Sequence, residues 1–373
     1  MKQIINAKIV TKDAVIENKA LLFEEKIVGF FDVPQDGVET IDAEGLYLIP
    51  GLIDLHIHGY NGADASDGNA ESLRTMAKGL IKNGVLGFLP TTGTLPYEQL
   101  EKAFDAARSL KKEDNCGAEV LGVHAEGPFL NEKKKGAQNE RYIKKLDVDF
   151  VLKHKDIIKI LTVAPEKDEG FEGIKRIKAE TDIVLSIGHT AADFETANAS
   201  VSVGISHATH LFNAMTPITH REPGAAGAAM FSSDVSCELI CDGFHVHPAL
   251  FESVYKIKRE KLNLITDSLR CAGLPDGSYE SIGHTVSKRG IECRLPDGTI
   301  AGSVLRLNEA VRNLNKTGVP LNEAVNAASL YPAMTLGCEN ERGEIREGLY
   351  ADFSLCDGEI NIKSVFKRGT QCV

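Results

Sequence analysis

Eight short apolar runs, rich in β-branched residues, recur between residues 49 and 266 and constrain the fold more than any other feature of the chain. They occupy 49–57, 84–91, 119–125, 158–164, 183–187, 204–210, 236–241 and 262–266. Near-continuous hydrophobicity marks strands buried on both faces, as in parallel sheets covered by helices. Most runs are separated by stretches with helical spacing, including 70–82, 96–110, 171–179, 191–201 and 248–258. Eight such units predict an α/β fold, a (β/α)8 TIM barrel, over residues 49–342.

The two ends read differently. Residues 3–11, 20–31 and 40–48 read as strands punctuated by Asp, Gly and Pro, and residues 343–373 repeat that character. Neither end can bury a core alone. The expectation is one small β-sandwich domain built from both termini, 1–48 plus 343–373.

Composition narrows the function classes. With 43% hydrophobic and 25% charged residues the chain is ordinary soluble protein, and a net charge of -11 argues against a nucleic-acid or anionic-membrane partner. No apolar targeting segment opens the sequence and no membrane-spanning run occurs, so the expected location is cytoplasmic. The eight cysteines form no C-x-x-C pair and read as reduced, mostly buried thiols.

A barrel of this kind gathers its chemistry at the C-terminal ends of its strands. Reactive residues stand where the runs stop. Run one ends in His56 and His58, which share a strand face and can turn both imidazoles toward one ion. Run three ends in His124-Ala125-Glu126, run five in Gly188-His189, run six in Thr209-His210, run seven in Asp242-Gly243-Phe244-His245, and run eight in Thr266-Asp267. Six strand ends carrying His, Glu or Asp point to a metal site.

These pieces, with Pro50-Gly51-Leu52-Ile53-Asp54 before the first histidines, His210-Leu211-Phe212-Asn213-Ala214-Met215 and Arg221-Glu222-Pro223-Gly224, carry a resemblance over essentially the whole chain. The sequence resembles the amidohydrolase superfamily and, within it, the N-acetylglucosamine-6-phosphate deacetylase family. The reaction this implies is hydrolysis of the acetamide of N-acetyl-D-glucosamine 6-phosphate to D-glucosamine 6-phosphate and acetate, in amino-sugar catabolism. The resemblance makes Glu126, His189 and His210 a three-ligand metal set, and His56 and His58 the holders of a second ion. One or two divalent metal ions are expected, zinc or iron first. Asp267 takes the superfamily's place of general base and acid toward metal-activated water.

For the phosphorylated amino sugar, the resemblance implies Arg221, His245 and the backbone amides near Asn213 and Ala214. Residues 217–229 read as a long Gly- and Ala-rich loop that could carry Arg221 into a neighbouring subunit, which favours a homodimer. One departure stands out. Some members have a histidine in the loop after Glu126 that polarises the substrate carbonyl, and this chain has Gln138 there. An uncharged amide is the weaker electrophile, so the second metal is expected to take over that task.

The other histidines read as structural. His284 falls in a hairpin at 277–300 and is expected at the surface, His207 between barrel and helices, and His124 beside Glu126 as its orienting partner. The alternatives are an amidohydrolase acting on another N-acyl or cyclic amide, and a non-catalytic scaffold barrel.

Overall fold

Strands buried on both faces need a helical coat outside and packed side chains inside, and the chain supplies both. The computed structural model describes residues 1–113, 116–281 and 283–373. Its barrel strands are β1 (Leu52–Ile57), β2 (Val85–Thr92), β3 (Val123–Glu126), β4 (Ile158–Val163), β5 (Val184–Ile187), β6 (Ile205–Ala208), β7 (Ser236–Ile240) and β8 (Leu262–Ile265). Each pairs in parallel with the next in sequence. Closure comes just past β8, where the Asp267 N–H donates to His56 O at 2.8 Å and Ser268 bridges Ile57. The last strand is thereby laid directly against the first histidine pair.

The coat is formed by α1 (Ala70–Leu80), α2 (Tyr97–Lys111), α3 (Val148–Lys153), α4 (Glu172–Glu180), α5 (Phe194–Val203), α6 (Gly224–Phe231), α7 (Phe251–Lys258) and α8 (Leu307–Asn315), with two short helices after them. In α1 the inward face carries Leu73, Met76, Ala77 and Leu80, and Asn69 accepts the Ser72 N–H to cap its start, a contact worth about 1 kcal/mol. Helix α5 begins at Phe194 rather than 191 because Asp193 caps it through the Thr196 N–H. Helix α6 corrects the expected loop at 217–229: its residues from Gly224 to Met230 are buried, and small side chains let it lie close to α5.

The terminal strands build two sheets. One contains Lys2–Ile5, Ala20–Phe23, Ile27–Phe31 and Glu39–Asp42; the other contains Lys8–Val10, Val15–Ile16, Tyr47–Pro50, Phe353–Cys356, Ile362–Lys367 and Thr370–Gln371. The runs read as single strands at 3–11 and 40–48 each break, at Asn6 (φ 56) and around Glu44 (φ 50), and cross from one sheet to the other. Between the sheets lie Ile4, Ile9, Phe23, Leu48, Phe353 and Phe366, with Phe23 edge-on to Phe353 at 5.0 Å.

One addition to the barrel bears on the site. After β8 the chain forms a three-stranded antiparallel sheet from Gly277–Ser281, His284–Arg289 and Glu292–Arg294, matching the expected hairpin; its residue Ile282 lies outside the described residues. This sheet closes a small core of Leu269, Cys271, Val286, Cys293 and Ala301 next to the strand-eight end. Among the described residues, no helix is long and apolar enough to cross a membrane.

Candidate active site

The strand ends converge on a cavity of about 360 Å³. Its floor holds His58, Glu126, His189, His210 and Asp267, and its walls include Gln138, Asn213, Ala214, His245 and His284.

Glu126 ends β3 and is the hub. Its Oε1 lies 3.1 Å from His189 Nε2 and 3.0 Å from His210 Nε2, and its Oε2 lies 3.2 Å from His58 Nε2. One carboxylate thus faces both groups of histidines. His56 Nε2 is 3.3 Å from His58 Nε2, and Asp267 Oδ1 stands 3.5 Å and 3.4 Å from these two nitrogens. Backbone turns make this possible: His189, His210 and Asp267 have φ of 47°, 30° and 51°, leaving extended geometry where each strand stops. Gly188 must be glycine, because a Cβ there would meet Thr209 Cβ at 2.7 Å.

Hydrogen bonds fix the rings. His58 Nδ1 faces Thr91 O at 3.1 Å, His189 Nδ1 faces Lys134 O at 2.8 Å, and His56 Nδ1 faces Glu238 Oε2 at 2.9 Å. Carbonyl and carboxylate oxygens only accept, so each of these rings carries a proton on Nδ1 and turns its Nε2 toward the cluster. These nitrogens crowd together, His56 and His58 Nε2 at 3.3 Å and His189 and His210 Nε2 at 3.1 Å, so each pair needs a proton or a metal ion between its members. The donor set of imidazole nitrogen and carboxylate oxygen fits a divalent metal.

Electrostatics agree. Burial alone would raise the Glu126 carboxyl, but His56, His189 and His210 outweigh it and hold it well below the carboxylate range. Asp267 is likewise lowered against burial by His56 and His58. Burial would lower His56, yet Glu238, Glu126 and Asp267 raise it to about 9. Three ionised carboxylates around one point favour positive charge there.

Several residues differ from the sequence reading. His124 does not orient Glu126; it faces Leu55 O at 3.1 Å and Thr162 Oγ1 at 2.7 Å, and burial pushes its pKa down to about 3. His207 points into the barrel, not outward, with Nε2 3.1 Å from Glu238 Oε1. His284 is half-buried and part of the cavity wall, and its Nε2 is buried without a partner among the described residues. Glu238, on β7, was not singled out at all; a lone acid inside an apolar run was the available signal.

The recognition residues are divided. The turn from His210 brings Asn213 and Ala214 to the cavity; the Asn213 N–H is spent on His210 O at 2.9 Å, whereas the Ala214 N–H makes no hydrogen bond among the described residues. His245 Nδ1 is held by Asp242 Oδ2 at 2.6 Å, which leaves Nε2 for a ligand. Arg221 is exposed, lies outside the cavity of its own chain and makes no ion pair among the described residues. Gln138 donates through Nε2 to Glu126 Oε2 and accepts the Thr94 N–H at 2.7 Å.

A parallel barrel that ends its first strand in His-x-His, sets further histidines and a shared carboxylate on later strands and closes on an aspartate is the build of a metal-dependent hydrolase of the amidohydrolase type. The amidohydrolase family model matches residues 47–372, and the chain belongs to that family. It is 36% identical to the N-acetylglucosamine-6-phosphate deacetylase of Bacillus subtilis (strain 168), over 95% of this chain and 96% of that protein. It is also 31% identical to the N-acetylgalactosamine-6-phosphate deacetylase of Escherichia coli O157:H7, over 99% of both. The crystal structure of N-acetylglucosamine-6-phosphate deacetylase from Pasteurella multocida superposes with a TM-score of 0.93 at 31% identity, covering 99% of each chain.

Proposed function

We propose that this enzyme hydrolyses the acetamide of N-acetylglucosamine 6-phosphate, releasing acetate and glucosamine 6-phosphate. The observation that carries the reading is one cavity, about 360 Å³, that joins the histidine–carboxylate floor to the Ala214 N–H and His245 on its wall. That volume suits a single small molecule.

Glu126, His189 and His210 would hold one divalent ion, and His56 and His58 a second, with zinc or iron suited to the ligand set. Bound there, such an ion supplies Lewis acidity toward a water and toward the acetamide carbonyl. Asp267, ionised and next to the His56–His58 position, accepts the proton of the attacking water and returns it to the sugar nitrogen as acetate departs. Gln138 holds Glu126 in place, consistent with carbonyl polarisation falling to the ions.

At the far end, the Ala214 N–H and His245 Nε2 face the phosphate, while Asn213 shapes the turn that presents them. Arg221 completes that set from a neighbouring subunit, which makes the working form a homodimer. Ile218 and Phe231, 39% and 61% exposed near this loop, support an apolar contact there. The free cysteines support a cytoplasmic location. The separate apolar cores support a division into 1–48 plus 343–373 and 49–342.

The Escherichia coli relative makes the galactose epimer a second candidate substrate. Acetate release should be measured on both phosphorylated epimers and on unphosphorylated N-acetylglucosamine, before and after chelation. The expected result is preference for the phosphorylated glucose epimer and loss of turnover with chelator. Equal rates with and without phosphate would overturn the phosphate assignment, and chelator resistance would overturn the metal mechanism.

A further inference from the structure

Glu238 projects from β7 into the barrel beneath the cluster, is fully buried and does not line the cavity. A buried carboxylate is costly unless its oxygens are satisfied. Here they are, by groups belonging to the cluster. Oε2 accepts from His56 Nδ1 at 2.9 Å and from the His210 backbone N–H at 3.0 Å, and Oε1 accepts from His207 Nε2 at 3.1 Å.

The four cluster histidines are not backed alike. His58 and His189 rest on neutral carbonyls, Thr91 O and Lys134 O, and His210 Nδ1 has no partner among the described residues. Among the described residues, only His56 of the four is backed by a carboxylate. A charged acceptor fixes the tautomer and makes the opposite nitrogen a stronger donor to a cation.

Resting on the metal reading above, we infer that Glu238 is a positioning residue that commits His56 to act as a ligand, and so determines whether the His56–His58 pair holds a second ion. Its reach to the His210 backbone also ties the turn carrying the first ion position to the same oxygen.

Glu238→Gln tests this without emptying the site. The amide oxygen can still accept from His56 and His210, and its NH2 can turn to His207, whose Nδ1 has no partner among the described residues and whose tautomer can switch. Only the charge is lost. The full chain, loaded with zinc, is analysed for zinc per chain and for release to a chromophoric chelator. The parent should hold two ions; in Glu238→Gln one should be held about 10- to 100-fold more weakly and the other as in the parent. In a His56→Ala background, which should hold one ion, adding Glu238→Gln should change nothing.

Equal weakening of both ions, no weakening of either, or a further loss in the His56→Ala background would overturn the inference. A parent with one ion and intact deacetylation would also overturn it while leaving the proposed function standing. A parent with none would remove both.

Discussion

Gln138 Nε2 lies 2.5 Å from Glu126 Oε2, so the loop after β3 is fastened to the carboxylate that faces both groups of histidines. The same side chain is fixed at its other end by the Thr94 N–H. Gln138→Leu leaves Glu126 Oε2 without this donor. Turnover or zinc affinity should fall about 10- to 100-fold, measured by steady-state acetate release and chelator titration. Parental values in both would show that the contact is incidental.

Removing His56 and His58 together tests the second ion position. The double alanine variant should lose far more in kcat than in KM, because neither histidine reaches toward the phosphate end of the cavity. Steady-state kinetics with zinc in excess provide the check, and unchanged turnover would count against a role for the pair.

Asp267→Asn keeps the shape and removes the proposed base. The expected loss is about 10²- to 10⁴-fold in kcat, with substrate binding by calorimetry kept near the parental value. A variant that turns over normally would take Asp267 out of the proton transfer.

His284 enters the cavity from the three-stranded sheet with an Nε2 that has no partner among the described residues. Its replacement by phenylalanine should raise KM more than it lowers kcat, since the ring lines the cavity but makes no hydrogen bond to the histidine–carboxylate cluster among the described residues. A change confined to kcat would contradict this.

Lys258 provides a pH test away from the site. Burial lowers its ammonium below the usual value of 10.5, while Nζ donates to Ala229 O and Ser232 O at 3.0 Å and 2.7 Å. Between the depressed folded value and the ordinary one, the unfolded chain binds the proton more readily, so this group makes stability rise with pH. Relative to Lys258→Met, the parent should gain thermal stability as the pH rises toward 10.5. Parallel melting curves across that range would refute the assignment.

The barrel was legible because a strand buried on both faces leaves an apolar run, and the strand-end histidines because function is confined to one rim. What escaped depended on backbone turns and distant packing. His207 was assigned outward by counting back from His210, but the chain leaves extended geometry at His210 (φ 30), so alternation does not carry across. Glu238 is hidden in the apolar run Ser236–Ile240 and becomes meaningful only beside His56. The hairpin was visible, whereas its position against the strand-eight end, which brings His284 inward, is set by contacts such as Cys271 Sγ to Cys293 Sγ at 3.5 Å. Helix α6 was masked by its Gly- and Ala-rich composition, which reads as loop and packs as helix.

The terminal sheet has a consequence for synthesis. Strand Tyr47–Pro50 pairs on one side with Lys8–Val10 and on the other with Phe353–Cys356. While the chain is being made, Ile9 and Leu48 wait for Phe353 and Leu355 until the whole barrel has emerged from the ribosome. Such long-range pairing is slow to form and leaves an apolar strand edge open in the meantime. A message cut short within the final strands would therefore yield a chain whose barrel can close but whose first-made edge stays adhesive, and its fate would be set by chaperones and aggregation rather than by loss of the catalytic groups.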